Sequence, residues 1–318
     1  NVGAGNVTAS ADSIAAIRLN GTAIKSTSTS DDQNKLTITD YVDQNIAGVD
    51  AAVNVAVQIS GGTSAARIDF DPSKLTGVDS LTLADGSFTE LTASELTTLN
   101  SAGARFDGDG SLRVTGYTNQ SLNQIDADVD VIVEIASGST ATFDPTNFAN
   151  LGSGDVLEIN GTLTATVADL QTFTDSTAET GNNARLGGSG QLVLTDYQDG
   201  DDLGDLFASG LISNPLTASI TVSGSDSSNP VELTQQNLVG QDANFNRITS
   251  VSVDAGQVVR IDADDLAHNA LEKEGEGYKK FLDIFGETFL DENSEIDRKA
   301  LRKYIFQNPE MKNKLEEI

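Results

Sequence analysis

The chain has 318 residues and a formal net charge of −29, with one His and neither Cys nor Trp. That composition excludes a disulfide framework, a thiolate metal site and a polyhistidine zinc site, and its acidity repels nucleic acid and anionic membranes. With 5% aromatic residues, the core must come from Val, Leu, Ile and Ala, and no apolar run approaches the roughly 18 residues of a membrane-spanning helix.

Taken in order, the chain repeats three blocks. The first alternates apolar and polar residues: VNVAVQIS at Val53–Ser60, VDVIVEIA at Val129–Ala136 and LTASITVS at Leu216–Ser223. An apolar residue at every second position predicts a strand with one buried face. The second block is LTLADGSFTELTASEL at Leu81–Leu96, then VLEINGTLTATVADL at Val156–Leu170, then VSVDAGQVVRIDADDL at Val251–Leu266. Each copy reads as strand, Gly-containing turn, strand and helix entry. Asp85-Gly86 and Asn160-Gly161 are hairpin signals, with Ala255-Gly256 at the same place in the third copy, and Thr92 has the character of a helix N-cap. The third block is FDGDGSLRVTGY at Phe106–Tyr117 and LGGSGQLVLTDY at Leu186–Tyr197, with a shorter form QNKLTITDY at Gln33–Tyr41. Phe70-Asp71-Pro72 and Phe143-Asp144-Pro145 echo each other in between.

The tyrosines closing the third block lie 76 and 80 residues apart. The expected fold is therefore mainly β: tandem β-rich repeats of about 80 residues, solenoid-like or as stacked β domains, followed by a small α-helical unit. The expected divisions are a partial first repeat at 1–50, β repeats at 51–125 and 126–213, a truncated β repeat at 214–266, and a helical tail at 267–318.

The composition breaks after Leu266. Residues 267–318 hold 9 of the 19 basic residues and 6 of the 17 aromatics (12 Phe and 5 Tyr). Tyr278, Phe281, Phe285 and Phe289 recur at the spacing of one helical face. Asp297 is a candidate N-cap for a helix running to about Phe306, and Pro309 opens the last one.

Residues 261–318 resemble an internal stretch of bacterial dephospho-CoA kinase. The residues that carry the likeness are Asp262-Ala263-Asp264 with Ala267-His268; Gly277-Tyr278; Phe285-Gly286; Ile296-Asp297-Arg298-Lys299-Ala300-Leu301; Ile305-Phe306; Asn308-Pro309-Glu310; and Leu315-Glu316. The resemblance implies a P-loop kinase that phosphorylates the ribose 3′-hydroxyl of dephospho-CoA, with Asp262 near the acceptor hydroxyl. The family's ATP-phosphate cradle, GxxxxGK[ST], does not occur in these 318 residues, so the tail is expected to lack catalysis. The second-block repeat also predicts an acid just before Leu266, and this assigns Asp262 to architecture first.

Other acidic groups invite a metal. Asp199, Asp201, Asp202 and Asp205 form the densest acidic loop and are the candidate calcium ligands. Asp107 and Asp109 alternate with Gly as a calcium loop would, but the second copy reads GGSG, which favours a glycine turn. Asp126, Asp128 and Asp130 read as a solvated strand face.

The functional expectation is a non-catalytic structural or adhesive repeat protein of a bacterial cell surface or extracellular fibre. The repeats resemble secreted adhesins and surface-layer proteins in composition. Self-association or surface partners are expected, without nucleic acid or a membrane span, and calcium is the one candidate cofactor. The alternatives are a kinase-related protein binding a CoA-like ligand through its tail, and a calcium-dependent binding module.

Overall fold

The computed structural model describes residues 6–25, 35–152, 154–174, 184–201, 203, 212, 216–234, 248–261, 276–291, 294–308, 311 and 314. The chain forms two compact units, one of Asn1–Tyr197, Leu206–Thr221 and Arg247–Ser252, the other of Gln198–Asp205, Val222–Asn246 and Val253–Ile318.

The first unit is built on three sheets. One has the order β1 (Val7–Ser10), β2 (Lys35–Thr39), β3 (Asn54–Ile59), β5 (Ser80–Leu83), β7 (Arg105–Gly108). A second runs β4 (Ile68–Asp69), β6 (Phe88–Thr92), β8 (Ser111–Thr115), β9 (Asp130–Ile135), β11 (Val156–Ile159), β13 (Arg185–Gly187). The third runs β10 (Thr140–Thr142), β12 (Thr162–Thr166), β14 (Gln191–Tyr197), β15 (Thr217–Val222), β17 (Ile248–Val253). Wherever the register between two of these strands is described, it is parallel.

Alternation builds the core directly. In β5, β8 and β11 every second residue is buried, so Leu81, Leu83, Leu112, Val114, Leu157 and Ile159 line the interior. Register stacks like on like: Leu81 lies beside Val57 and Phe106, and Leu163 beside Ala141 and Leu192. A slip of one residue would turn each apolar row out to solvent, which is why the register is specified.

Short helices lie between the strands, each opened by a side-chain cap. α1 (Ala11–Leu19) starts at Ser10, whose hydroxyl accepts from Ser13 N. α2 (Ala93–Ser101) starts at Thr92, which exchanges bonds with Glu95 in a full capping box. α3 (Val167–Thr174) has Asp169 N donating to Thr166 Oγ1 at 3.0 Å. These caps meet amide donors that the first helical turn leaves unpaired. The 3₁₀ turns Pro72–Leu75 and Pro145–Phe148 begin the same way, at Asp71 and Asp144, with Pro at the entry.

Three expectations are corrected here. The class is α/β, with sheets parallel wherever their register is described and helices interleaved among the strands, in place of a mainly-β set of tandem repeats, solenoid-like or stacked. The turns at Asp85-Gly86 and Asn160-Gly161 do not close hairpins: β5 and β6 belong to different sheets, as do β11 and β12. The partner of a strand lies elsewhere, 24 residues on for Val57 and Leu81, 23 for Leu91 and Val114, and 29 for Leu157 and Leu186. Structural neighbours are thus set by a far shorter interval than 80 residues.

Glycine is required at two of the close approaches. Gly108 and Gly188 both have φ +97°, and a Cβ on either would run into a backbone carbonyl oxygen, that of Leu83 or Ile159. No described helix is long and apolar enough to cross a membrane.

Candidate functional site

The second unit holds the segment that the sequence singles out. It contains a two-stranded parallel sheet of β16 (Val231–Leu233) and β18 (Val259–Ile261). Arg260 faces Glu232 across this pair at 3.5 Å, with the two side chains 65% and 51% exposed. Such an exposed pair contributes little.

The approach to β18 is held more firmly. Ser225 is buried; its amide donates to Gln257 Oε1 at 2.5 Å and its hydroxyl to the same oxygen at 3.1 Å. The Ser225 hydroxyl also accepts from Val258 N at 2.8 Å. A buried hydroxyl with both roles met fixes this crossing in place. Asp226 accepts from Ser228 N and Asn229 N, and those two amides hold its carboxyl below the usual carboxylate range. The backbone leading to Asp262 is therefore anchored until the preceding residue, Ile261. Asp262 itself lies outside the described residues.

Downstream come α4 (Glu276–Phe285), a 3₁₀ turn at Gly286–Phe289 and α5 (Arg298–Gln307). The helical spacing of the aromatics builds the local core. Phe281, Phe285 and Leu301 are buried, with Leu282, Phe289, Ile296 and Met311 packed on them. Phe281 stacks on Phe285 at 4.8 Å, Phe285 meets Phe289 edge-on at 6.2 Å, and Phe289 lies 5.0 Å from Tyr304. Offset and edge-on ring pairs of this kind add to simple burial.

The turn between the helices is held by hydrogen bonds. Tyr278 Oη donates to the Ser294 carbonyl oxygen. Asp291 N donates to Glu295 O at 2.7 Å, Ser294 N to Asp291 O at 3.0 Å, and Asp297 N to Phe289 O at 2.6 Å. Asp297 then caps α5, its Oδ1 accepting from Ala300 N at 2.9 Å. Lys279 and Lys280 on α4 and Arg302 and Lys303 on α5 are exposed.

The candidate calcium loop is only partly described. Asp199 Oδ1 accepts from Glu232 N at 3.1 Å, and Asp201 Oδ2 from Gln198 N at 2.8 Å. Asp202 and Asp205 lie outside the described residues. Among the described residues no group of three or more His, Cys, Asp or Glu is arranged to hold a metal. Asp107 and Asp109 flank Gly108, whose φ is +97°, and Asp126 Oδ1 accepts from Asp128 N at 3.2 Å.

Sequence reasoning missed two polar clusters in the first unit. Asp155 is 3% exposed and accepts from Val131 N at 2.5 Å and Gly152 N at 2.6 Å. Burial pushes its carboxyl up, partly offset by those two amides. Arg113 Nη2 donates to Glu134 and Glu158, both at 2.8 Å, and its Nε lies 3.6 Å from Glu90, which also pairs with Arg67. Burial disfavours the Arg113 charge, but the two carboxylates outweigh it and hold the guanidinium more firmly protonated. The signal for this row was its interval: Glu90 lies directly opposite Arg113, and Glu134 opposite Glu158, on neighbouring strands. Both clusters tie neighbouring segments of the first unit together.

Comparison with known proteins bears on the second unit. A family model described as dephospho-CoA kinase matches residues 246–318. Over 58 residues, 18% of this chain, the sequence is 47% identical to a dephospho-CoA kinase of Gamma-proteobacterium EBAC31A08, covering 29% of that protein. The corresponding kinases of Oryza sativa subsp. japonica and Aquifex aeolicus (strain VF5) are 40% and 41% identical over 58 residues, covering 25% and 30% of their lengths. The chain spans less than a third of the curated relatives it matches. No solved structure matches it.

These matches correct the functional expectation. A non-catalytic structural or adhesive protein of a cell surface or extracellular fibre is overturned, since every relative named here is a kinase. They likewise point toward an enzyme family, against the expectation of no enzyme. The similarity to adhesins and surface-layer proteins finds no support.

The matched range begins at residue 246, upstream of the expected change at Leu266. It includes β17 and β18, whose neighbours β15 and β16 precede it. The stretch Val251–Ile261 is shared: strand pairing ties it to the upstream chain, and similarity ties it to the kinase segment.

Proposed function

We propose that this is a kinase-related protein whose segment 246–318 contributes the acceptor side of a dephospho-CoA kinase-type site, binding a dephospho-CoA-like ligand. The observation supporting this reading is the 47% identity over 58 residues to a dephospho-CoA kinase. Two further observations support it. The hydrogen-bonded approach through Ser225, Gln257 and β18 delivers the chain to Asp262, and the exposed cations of α4 and α5 suit a ligand carrying phosphates. By resemblance Asp262 lies at the acceptor hydroxyl, where a carboxylate accepts a proton as the hydroxyl attacks phosphorus.

Calorimetric titration of the whole chain with dephospho-CoA tests the binding half. Saturable heat is the expected result, reduced by Asp262→Asn; absence of heat at millimolar ligand overturns the reading. ADP release under Mg-ATP and dephospho-CoA tests the catalytic half independently.

A further inference from the structure

The sequence holds the tripeptide Asn-Gly-Thr twice, at Asn20-Gly21-Thr22 and at Asn160-Gly161-Thr162, each after an aliphatic residue, Leu19 or Ile159. Their local chemistry is therefore the same. An Asn followed by Gly is open to attack by the chain on its own side chain. With no Cβ on the glycine, its amide nitrogen can reach the Asn Cγ. Whether it does depends on how freely the backbone turns, and the fold treats the two copies differently.

Asn160-Gly161 is enclosed where β11 passes into β12. Gly161 is buried, its N–H donates to Ile135 O at 3.0 Å, and a Cβ on it would run into the carbonyl oxygens of Ser139 and Ala136. Asn160 N donates to Ile135 O and Thr162 N to Ser139 O, both at 2.9 Å. The side chain is held as well: Nδ2 donates to Glu158 Oε1 at 3.2 Å and Oδ1 accepts from Ser189 N at 3.4 Å. Asn20-Gly21 instead ends α1 at the surface. Both residues are exposed, Gly21 has φ +70°, and no described atom lies within 4 Å of where its Cβ would stand. Asn20 is the C-cap; its Nδ2 donates to Ala16 O at 3.1 Å, and Gly21 N donates to Arg18 O at 2.8 Å. These bonds belong to a helix end, which frays far more readily than a core strand opens.

We propose that Asn20 is a site of spontaneous covalent modification, deamidation through a succinimide, and that the fold protects Asn160 from the same reaction. When the last turn of α1 opens, Gly21 N gives up its proton to solvent and bonds to Asn20 Cγ. The Cγ–Nδ2 bond breaks and ammonia leaves, closing a five-membered ring. Water then opens the ring at either carbonyl, leaving aspartate, or isoaspartate with the chain running through Cγ. No electrons are exchanged. Either product loses the Nδ2 bond to Ala16 O and puts a carboxylate among the carbonyls that end α1, where negative charge is disfavoured. The change is one-way and loosens the end of α1.

The test is a time course of the whole folded chain at mildly alkaline pH, followed by peptide mapping with mass spectrometry at both sites. The expected result is conversion of Asn20 to a mixture of isoaspartate and aspartate while Asn160 remains an amide. The rates should differ by about tenfold or more, the ratio that ~1.4 kcal/mol of extra opening free energy at Asn160 produces. In concentrated urea the two sites should convert at similar rates, because the tripeptides are identical. Asn20→Gln, which would need a larger ring, should abolish the conversion at that position. An Asn20 that stays an amide in the folded chain overturns the proposal, as do equal rates at the two sites before unfolding. A difference that persists in urea overturns it too, because the fold would then not be its cause.

Discussion

The two units keep their cores in different ways. In the parallel sheets the buried residues come from strands far apart in sequence, as when Leu163 lies between Ala141 and Leu192. In the helical segment they come from neighbouring turns, as Phe281 and Phe285 do. The first arrangement is specified by register and spreads across many rows. The second depends on three buried side chains and a few apolar residues packed beside them. The sheets should therefore resist a single truncation as a body, while the helical segment should lose its structure locally.

The sharpest way to break this comparison is one truncation in each unit. Leu163 and Phe281 are both 0% exposed. Phe281→Ala should cost about 3–5 kcal/mol, more than so small a cluster can absorb. Helical content and dephospho-CoA binding should fall together while the unfolding transition of the sheets stays in place. Leu163→Ala should cost about 2–5 kcal/mol, read as a lower urea midpoint for the sheets with ligand binding retained. Equal shifts of both transitions in both variants would refute two separately held cores.

Asp155 gives the next largest effect. Asp155→Ala strands the buried Val131 amide, at about 1–3 kcal/mol, and the half-buried Gly152 amide at less. Asp155→Asn retains one acceptor and should lose roughly half as much. The pH dependence carries a definite sign. Burial raises the folded-state value above the unfolded one, so the ionised form is disfavoured in the fold. Stability from this group is greatest below the ordinary aspartate value of about 3.9 and is lost as pH rises through the raised one. Subtracting the Asn variant's stability from that of the unsubstituted chain at each pH isolates the slope. A difference that grows with pH would contradict the assignment.

A smaller effect is expected at a helix entry. Thr92 and Glu95 exchange hydrogen bonds across the first turn of α2. Thr92→Ala should cost about 1 kcal/mol, seen as a modest drop in the sheets' urea midpoint without loss of ligand binding.

Much of this was legible, for identifiable reasons. The alternation in VNVAVQIS and VDVIVEIA marks β3 and β9, because a strand half in the core must alternate. Thr92 before a Glu three residues on marks a helix entry. The spacing of Tyr278, Phe281 and Phe285 marks the buried face of α4, and the kinase resemblance marks the segment's family relation. Strand partnership was not legible. Alternation says which face is buried but not which strand lies alongside. Asp85-Gly86 satisfies the chemistry of a tight reversal, yet Gly86 at φ +73° serves equally where the chain leaves one sheet for another. The functional reading erred for a related reason: the repeats occupy most of the length and governed it, whereas the information about activity lies in the last 73 residues, 246–318.

The smallest predicted effect bears on how complete the sheet core is. Tyr41 is 1% exposed and stacks on Phe70, with ring centroids 6.2 Å apart. Its hydroxyl has no hydrogen-bond partner among the described residues. Burial, with Asp43 and Asp71 nearby, pushes its ionisation far above the ordinary range, so the group stays neutral at any working pH. An unmet buried hydroxyl is a desolvation cost with no return, whereas the ring supplies the packing. Tyr41→Phe keeps the stack and removes the cost, and should leave stability unchanged or raise it by about 1 kcal/mol. Thermal unfolding decides it. A clear loss would show that the hydroxyl has a partner in solution, most simply a water reaching it from beside Asp43, and that this end of the core is wetter than its packing implies.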